Sequence, residues 1–111
     1  MSEQPIPISV PEELRPLIAH SPDVLEVLRS QRVELERLSA LSERDIEMIR
    51  LGTAIGLGAP EATYRAHVER AVSAGVTKSE IWGVVMAAVT LTGVPRILQA
   101  IPAIGEALEK D

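Results

Sequence analysis

The chain has 111 residues, a formal net charge of −5 and no cysteine. One domain suits that length, and the missing thiols exclude disulfides, cysteine nucleophiles and thiolate metal sites. The 11 Lys and Arg residues are scattered, with no basic stripe and no aromatic stacking platform, so nucleic acid is not an expected partner.

The residues that remain are mainly Ala, Leu, Ile and Val, with one Trp, one Tyr and no Phe. Such a composition favours helices with an aliphatic core. The N-terminus carries acid and proline where a secretory leader carries basic residues and an apolar run. The longest apolar stretch, around Val84 to Leu91, is too short to span a bilayer, so a soluble cytoplasmic protein is expected, with no membrane partner.

Residues 1–10, with Pro5 and Pro7, read as an extended N-terminal arm, and residues 11–111 as a single all-helical domain. Pro11 opens a short helix that Pro16 limits or kinks. Ser21-Pro-Asp starts the next, with Ser21 as cap and Pro22 in the first position. Leu25, Leu28, Arg32, Leu35 and Leu38 then recur at three- and four-residue steps, an amphipathic pattern to about Leu38. His20, just before that start, reads as structural.

Ser42 and Asp45 form a variant capping box for a third helix, with Ile46, Ile49, Ala54 and Ile55 along one side. Glu47 is offset by about 100 degrees from Ile46, so spacing alone does not bury it; pairing with Arg44 or Arg50 is the structural alternative to a functional role. Gly56-Leu-Gly-Ala-Pro ends this helix and begins a fourth, which runs to about Ala74 with Tyr64, Val68, Ala71 and Val72 as its apolar stripe. His67 lies on or at the edge of that stripe, one turn from Thr63.

Gly75 fits a left-handed helix end, and Thr77 with Glu80 makes a capping box for the fifth helix. Only Gly83 and Thr90 interrupt the apolar residues from Ile81 to Leu91. A helix apolar all round avoids water, which predicts a place in the centre of the core or between subunits. Gly93-Val-Pro stops it, and Pro95 opens a sixth helix carrying Ile97, Leu98, Ile101, Ile104, Ala107 and Leu108, with a kink expected at Pro102. The architecture predicted is all-α, a bundle of five to six helices.

Three blocks of this pattern resemble the carboxymuconolactone decarboxylase-like family, which includes the alkyl hydroperoxidase D group. They are Leu41-Ser-x-Arg-x-x-Glu-x-Ile, His67-x-x-x-Ala-x-x-x-Gly-Val-Thr-x-x-Glu-Ile, and Gly93-Val-Pro. Their order and spacing carry the resemblance over roughly residues 20 to 108. It implies the alkyl hydroperoxidase D-like helical fold, assembled as a homo-oligomer (a trimer or hexamer), and Glu47 at the family's acidic position. The peroxidase branch has a Cys-x-x-Cys-x-x-x-His motif; its cysteines fall on Pro60 and Thr63 here, so dithiol chemistry is excluded. The cysteine-free branch keeps the histidine, and this chain looks closer to it. That branch tends to carry a tyrosine shortly before Gly-Val-Pro, where this chain has Leu91, and a histidine in the following helix, where this chain has none.

The candidate catalytic residues are therefore His67, as proton donor or acceptor, and Glu47, as its partner. Protonating the dienolate left by decarboxylation of an unsaturated lactone suits an imidazole titrating near neutrality. The alternative for His67 is a half-buried histidine bonded to Thr63 or to a neighbouring helix. Thr63 and Tyr64 are candidate substrate contacts through their hydroxyls, with Tyr64 in the core and its hydroxyl at the rim as the alternative; Trp82 is a candidate pocket wall or interface, and Arg96 a carboxylate contact at a helix start or else a surface arginine. The expected function is cofactor-independent lyase chemistry, decarboxylase-like, on a small lactone or organic acid, with no metal. The rival readings are isomerisation, cyclisation or dehydration of a specialised metabolite on the same scaffold, or a non-catalytic small-molecule-binding or assembly protein.

Overall fold

A computed structural model describes residues 12–110. The arm read over residues 1–10 and the helix start at Pro11 lie outside them. Among the described residues the chain is all-helical, as the pattern predicts: a 3-10 turn, Glu12–Leu14, and six α-helices. They are α1 (Arg15–His20), α2 (Val24–Ser39), α3 (Glu43–Leu57), α4 (Glu61–Ser73), α5 (Lys78–Thr92) and α6 (Val94–Glu109). Two compact units divide after Ala40.

In the first unit the 3-10 turn and α2 both pack on α1. Pro16 stands in the first turn of α1, where its missing N–H costs nothing. Ser21 does not cap α2 as expected. Its carbonyl accepts from the Val24 N–H at 3.0 Å, Pro22 and Asp23 complete a turn, and no side chain caps the helix. Ile18 is the only buried side chain among this unit's described residues; α2 buries none, and Leu28, Leu35 and Leu38 are exposed.

The second unit is a four-helix bundle. α3 packs on α4 and on α5, α6 packs on α4 and on α5, and the diagonal pairs touch less. Short turns make α3–α4 and α5–α6 antiparallel hairpins. α3 and α5 run parallel: Arg44 pairs with Glu80, and a β-carbon added at Gly52 or at Gly56 would touch Val84 or Thr92.

The helix ends follow their local chemistry. Ser42 Oγ accepts from the Asp45 N–H at 3.1 Å. Both bonds of the Thr77–Glu80 capping box form, at 3.0 and 3.1 Å, and the Glu80 carboxylate also holds Arg44. α3 and α4 both close in Schellman ends. At the first, Ala59 N–H and Gly58 N–H donate to the carbonyls of Ala54 and Ile55, both at 3.1 Å. At the second, Val76 N–H and Gly75 N–H donate to those of Ala71 and Val72. Gly58 and Gly75 take φ of 67° and 93°, where a β-carbon is strained.

Three expectations about faces are corrected. The inward stripe of α3 is Glu47, Leu51, Ala54 and Ile55, while Ile49 is exposed and Ile46 half-buried. α5 is not the central helix: only Ile81 and Val85 are buried, and Met86 and Leu91 face solvent. The most buried helix is α6, through Ile97, Ala100, Ala103, Ile104, Ala107 and Leu108; Leu98 and Ile101 point outward, and the helix runs unbroken across Pro102. Ala100 and Ala103 pack there beside the expected Ile97, Ile104, Ala107 and Leu108, and a search for large apolar residues passes over those two.

Gly75→Ala is expected to cost about 1 kcal/mol, because its left-handed backbone is strained but the space around it is open. Gly58→Ala is expected to cost about as much, since the Arg96 guanidinium lies where the new methyl must go but is the far end of a flexible, exposed side chain that can move aside. Urea unfolding of the two variants checks this; a markedly larger loss at Gly58 would show that Arg96 is held in place.

Candidate functional site

All the candidate site residues lie in the four-helix unit. The α3–α4 turn fixes their register. Tyr64, fully buried, donates its hydroxyl to the Ala54 carbonyl at 3.3 Å, the same carbonyl that receives the Ala59 N–H. Burial pushes the Tyr64 phenol above its ordinary value, against the opposing pull of the Ala59 backbone and the positive charge of Arg96. Arg96 enters from the first turn of α6, and its guanidinium lies against Gly58. Tyr64, Arg96 and the Gly58–Ala59 turn therefore meet at the end of the bundle where α4 and α6 begin.

Glu47 lies further down α3, on its inward stripe. It is 5% exposed, although a carboxylate is rarely buried unless it is paired. Arg50, one turn on, donates to its Oε1 at 2.8 Å. The other oxygen, Oε2, is shielded from solvent and accepts no hydrogen bond. That leaves a buried polar atom with its desolvation uncompensated, a costly arrangement that native proteins keep mostly for a reason.

His67 is half-buried on α4, with its Nδ1 shielded from solvent. The antiparallel α3–α4 hairpin relates the two residues. With Tyr64 level with Ala54, three steps forward along α4 match three back along α3, which sets His67 level with Leu51 and one helical turn from Glu47. Thr63, half-buried, is in the first turn of α4, where its N–H donates to the Pro60 carbonyl at 3.0 Å. Trp82 is half-buried on α5 and lies over Gly105 of α6, where a β-carbon would meet the ring at 3.7 Å. Its ring therefore contributes to the packing between those two helices.

The structure thus brings Tyr64 and Arg96 together at one end, while counting residues along the α3–α4 hairpin sets Glu47 and His67 about one helical turn apart in register. Trp82 stands on the α5–α6 side. Arg50 is the ion-pair partner of Glu47, which sequence reasoning reached only as one of several options; its i, i+3 spacing from Glu47 was the available signal. Among the described residues no cluster of three His, Cys, Asp or Glu side chains could hold a metal ion, and no helix is long and apolar enough to cross a membrane.

An all-helical chain with an acid on one helix and a histidine twenty positions on is the arrangement the three sequence blocks imply. The chain matches the model of the carboxymuconolactone decarboxylase family over residues 22–106, and it belongs to that family. No curated protein and no solved structure matches it.

Two substitutions probe the site's electrostatics. Arg50→Met strands a buried carboxylate and is expected to cost about 2 kcal/mol in urea unfolding, with Glu47→Gln in the same chain restoring most of it. Tyr64→Phe is expected to cost about 1 kcal/mol near neutral pH, the worth of the lost hydrogen bond. The folded phenol holds its proton above the ordinary value of 10.0, so this stabilisation is whole below about pH 10 and falls as pH rises through the folded pKa. The gap between wild type and Tyr64→Phe should therefore narrow above pH 10, and a gap that widens would contradict the assignment.

Proposed function

We propose that the chain is a carboxymuconolactone decarboxylase-like enzyme that moves protons on a small lactone or organic acid, with Glu47 and His67 as the acid–base pair. The observation that carries this reading is Glu47 itself: a buried carboxylate with one oxygen held by Arg50 and the other accepting no hydrogen bond. Membership of the family supports it, since His67 and Glu47 fall on the positions where the resemblance implies chemistry.

Each residue has a role in that account. Arg50 neutralises the buried carboxylate and fixes its plane through Oε1, leaving Oε2 as the oxygen that exchanges a proton. His67 supplies the second acid or base, and a group titrating near neutrality can protonate a carbanion equivalent at working pH. Decarboxylation leaves an electron pair delocalised over the unsaturated lactone; proton delivery at carbon completes the step, with carbon dioxide as the leaving fragment. Arg96, exposed at the start of α6, is the candidate contact for a substrate carboxylate. Tyr64 acts as a positioning residue, because its hydroxyl is spent on the Ala54 carbonyl. The sequence has no cysteine, so thiol peroxidase chemistry plays no part. The chain works as a homo-oligomer, a trimer or hexamer, in the cytoplasm.

A second reading is favoured by one residue. Leu91 stands where cysteine-free relatives tend to have a tyrosine, and its side chain points to solvent. A different proton-transfer reaction on the same scaffold, or small-molecule binding without turnover, would not need that tyrosine.

The test is a screen of carboxylated lactones and related small acids for release of carbon dioxide or isomerised product. Glu47→Gln and His67→Asn are each expected to lower turnover by about 100-fold or more with little change in thermal stability. Turnover unaffected by both substitutions would exclude the pair.

A further inference from the structure

We infer that Arg70 holds the substrate's carboxylate, on the seam between α3 and α4 beside Glu47 and His67. Two features of the helices place it there. The first is the flank. On α3, Gly52 and Gly56 stand one position after the buried Leu51 and Ile55, and a β-carbon at either would touch Val84 or Thr92 of α5. The flank one position before, which carries Arg50, is therefore the one toward α4. In an antiparallel pair of right-handed helices, like flanks meet. On α4 that flank is Thr63, His67 and Arg70, each half-buried and each one position before a buried residue (Tyr64, Val68 or Ala71). The second feature is the level. With Tyr64 opposite Ala54, six steps along α4 match six back along α3, so Arg70 falls level with Met48, beside Glu47.

The role follows from what the other arginines do. Arg50 is committed to Glu47, donating to its Oε1 at 2.8 Å. The Arg96 guanidinium lies against Gly58, well beyond Leu51 and Glu47 along the chain of α3. Those separations amount to about 10 and about 16 Å of helix, more than a compact lactone acid spans. Arg96 can touch an arriving acid, but not while Glu47 exchanges a proton with it. Arg70 stands on the facing flank, and a guanidinium meets a carboxylate with two parallel donors. The carboxylate so held is one that the substrate keeps. A guanidinium on a departing carboxylate would favour the charged ground state over the uncharged carbon dioxide that leaves, and would slow the step. The substrate class is therefore a compact acid, with one retained carboxylate at Arg70 and its reacting carbon over Glu47 and His67. If the reaction is a decarboxylation, the carboxylate that leaves is a second one, turned away from Arg70. This inference rests on the acid–base reading of Glu47 and His67.

Binding of γ-butyrolactone-γ-carboxylate and of its methyl ester, followed in the amide NMR spectrum, tests it. The wild type is expected to bind the acid at least about 10-fold more tightly than the ester, the difference a charge-assisted contact makes. Arg70→Gln is expected to erase that preference with unchanged helical circular dichroism. Arg70→Lys, which keeps the charge and loses the fork, should retain part of it. Arg65→Gln, on the other flank of α4, should leave it whole. On a turned-over acid, Arg70→Gln should raise KM at least about 10-fold with kcat little changed. A wild type that binds no acid at millimolar concentration would overturn the inference. So would a preference that survives Arg70→Gln and falls with Arg96→Gln instead, which would move the carboxylate to the end of the bundle. If Arg70→Gln does not fold, a preference in Arg70→Lys equal to that of the wild type overturns it. The acid–base reading fails separately: Glu47→Gln and His67→Asn that keep the acid preference and full turnover would sink that reading and leave the Arg70 contact standing.

Discussion

The carbonyl of Ala54 is the point on which the bundle's geometry depends. It accepts the Ala59 N–H that closes α3 and, from the next helix, the buried hydroxyl of Tyr64. One acceptor thereby sets both the end of α3 and the register of α4 against it. Slide that register by a turn and His67 no longer stands near the level of Glu47, and Gly58 no longer lies under Arg96. A helix end is usually a local matter of orphaned carbonyls. Here a single tyrosine makes it a tertiary constraint.

Helix ends were the most legible feature of the sequence, because they are decided within four or five residues. Ser42, the Thr77–Glu80 box, Gly58 and Gly75 all behave as their local chemistry dictates. Helix faces were less legible. On α3 the inward stripe begins with a glutamate, so a search for apolar spacing took Ile46 and Ile49 in place of Glu47 and Leu51, while Ala54 and Ile55 face inward as read. On α6 the core is made by Ala100, Ala103 and Ala107 as much as by isoleucine, and alanine carries little pattern. On α5 every direction is apolar, so periodicity could not say which side faces the other helices; packing against α3 and α6 decides it, and water receives the remainder.

The site was legible as residue types and not as an arrangement. The position of Glu47 could be read from its motif, but its burial, and the pairing of one oxygen with Arg50, come from which way α3 turns. Tyr64 takes the core place its stripe suggested, and its hydroxyl, the alternative candidate for a ligand contact, is committed to the backbone. Arg96 kept an open face, since its guanidinium crosses Gly58, where no side chain stands in the way. A carboxylate that is costly to bury, placed a turn from a half-buried imidazole in a chain of this family, is the combination from which the proposed chemistry follows.

The central claim is that Glu47 and His67 act on one another as a pair. An NMR titration of the two histidines, in wild type and in Glu47→Gln, tests it most directly. If the pair exists, removing the Glu47 charge lowers the titration midpoint of His67. Identical His67 curves in the two proteins would show that the carboxylate and the imidazole do not sense each other, and the acid–base account would fall.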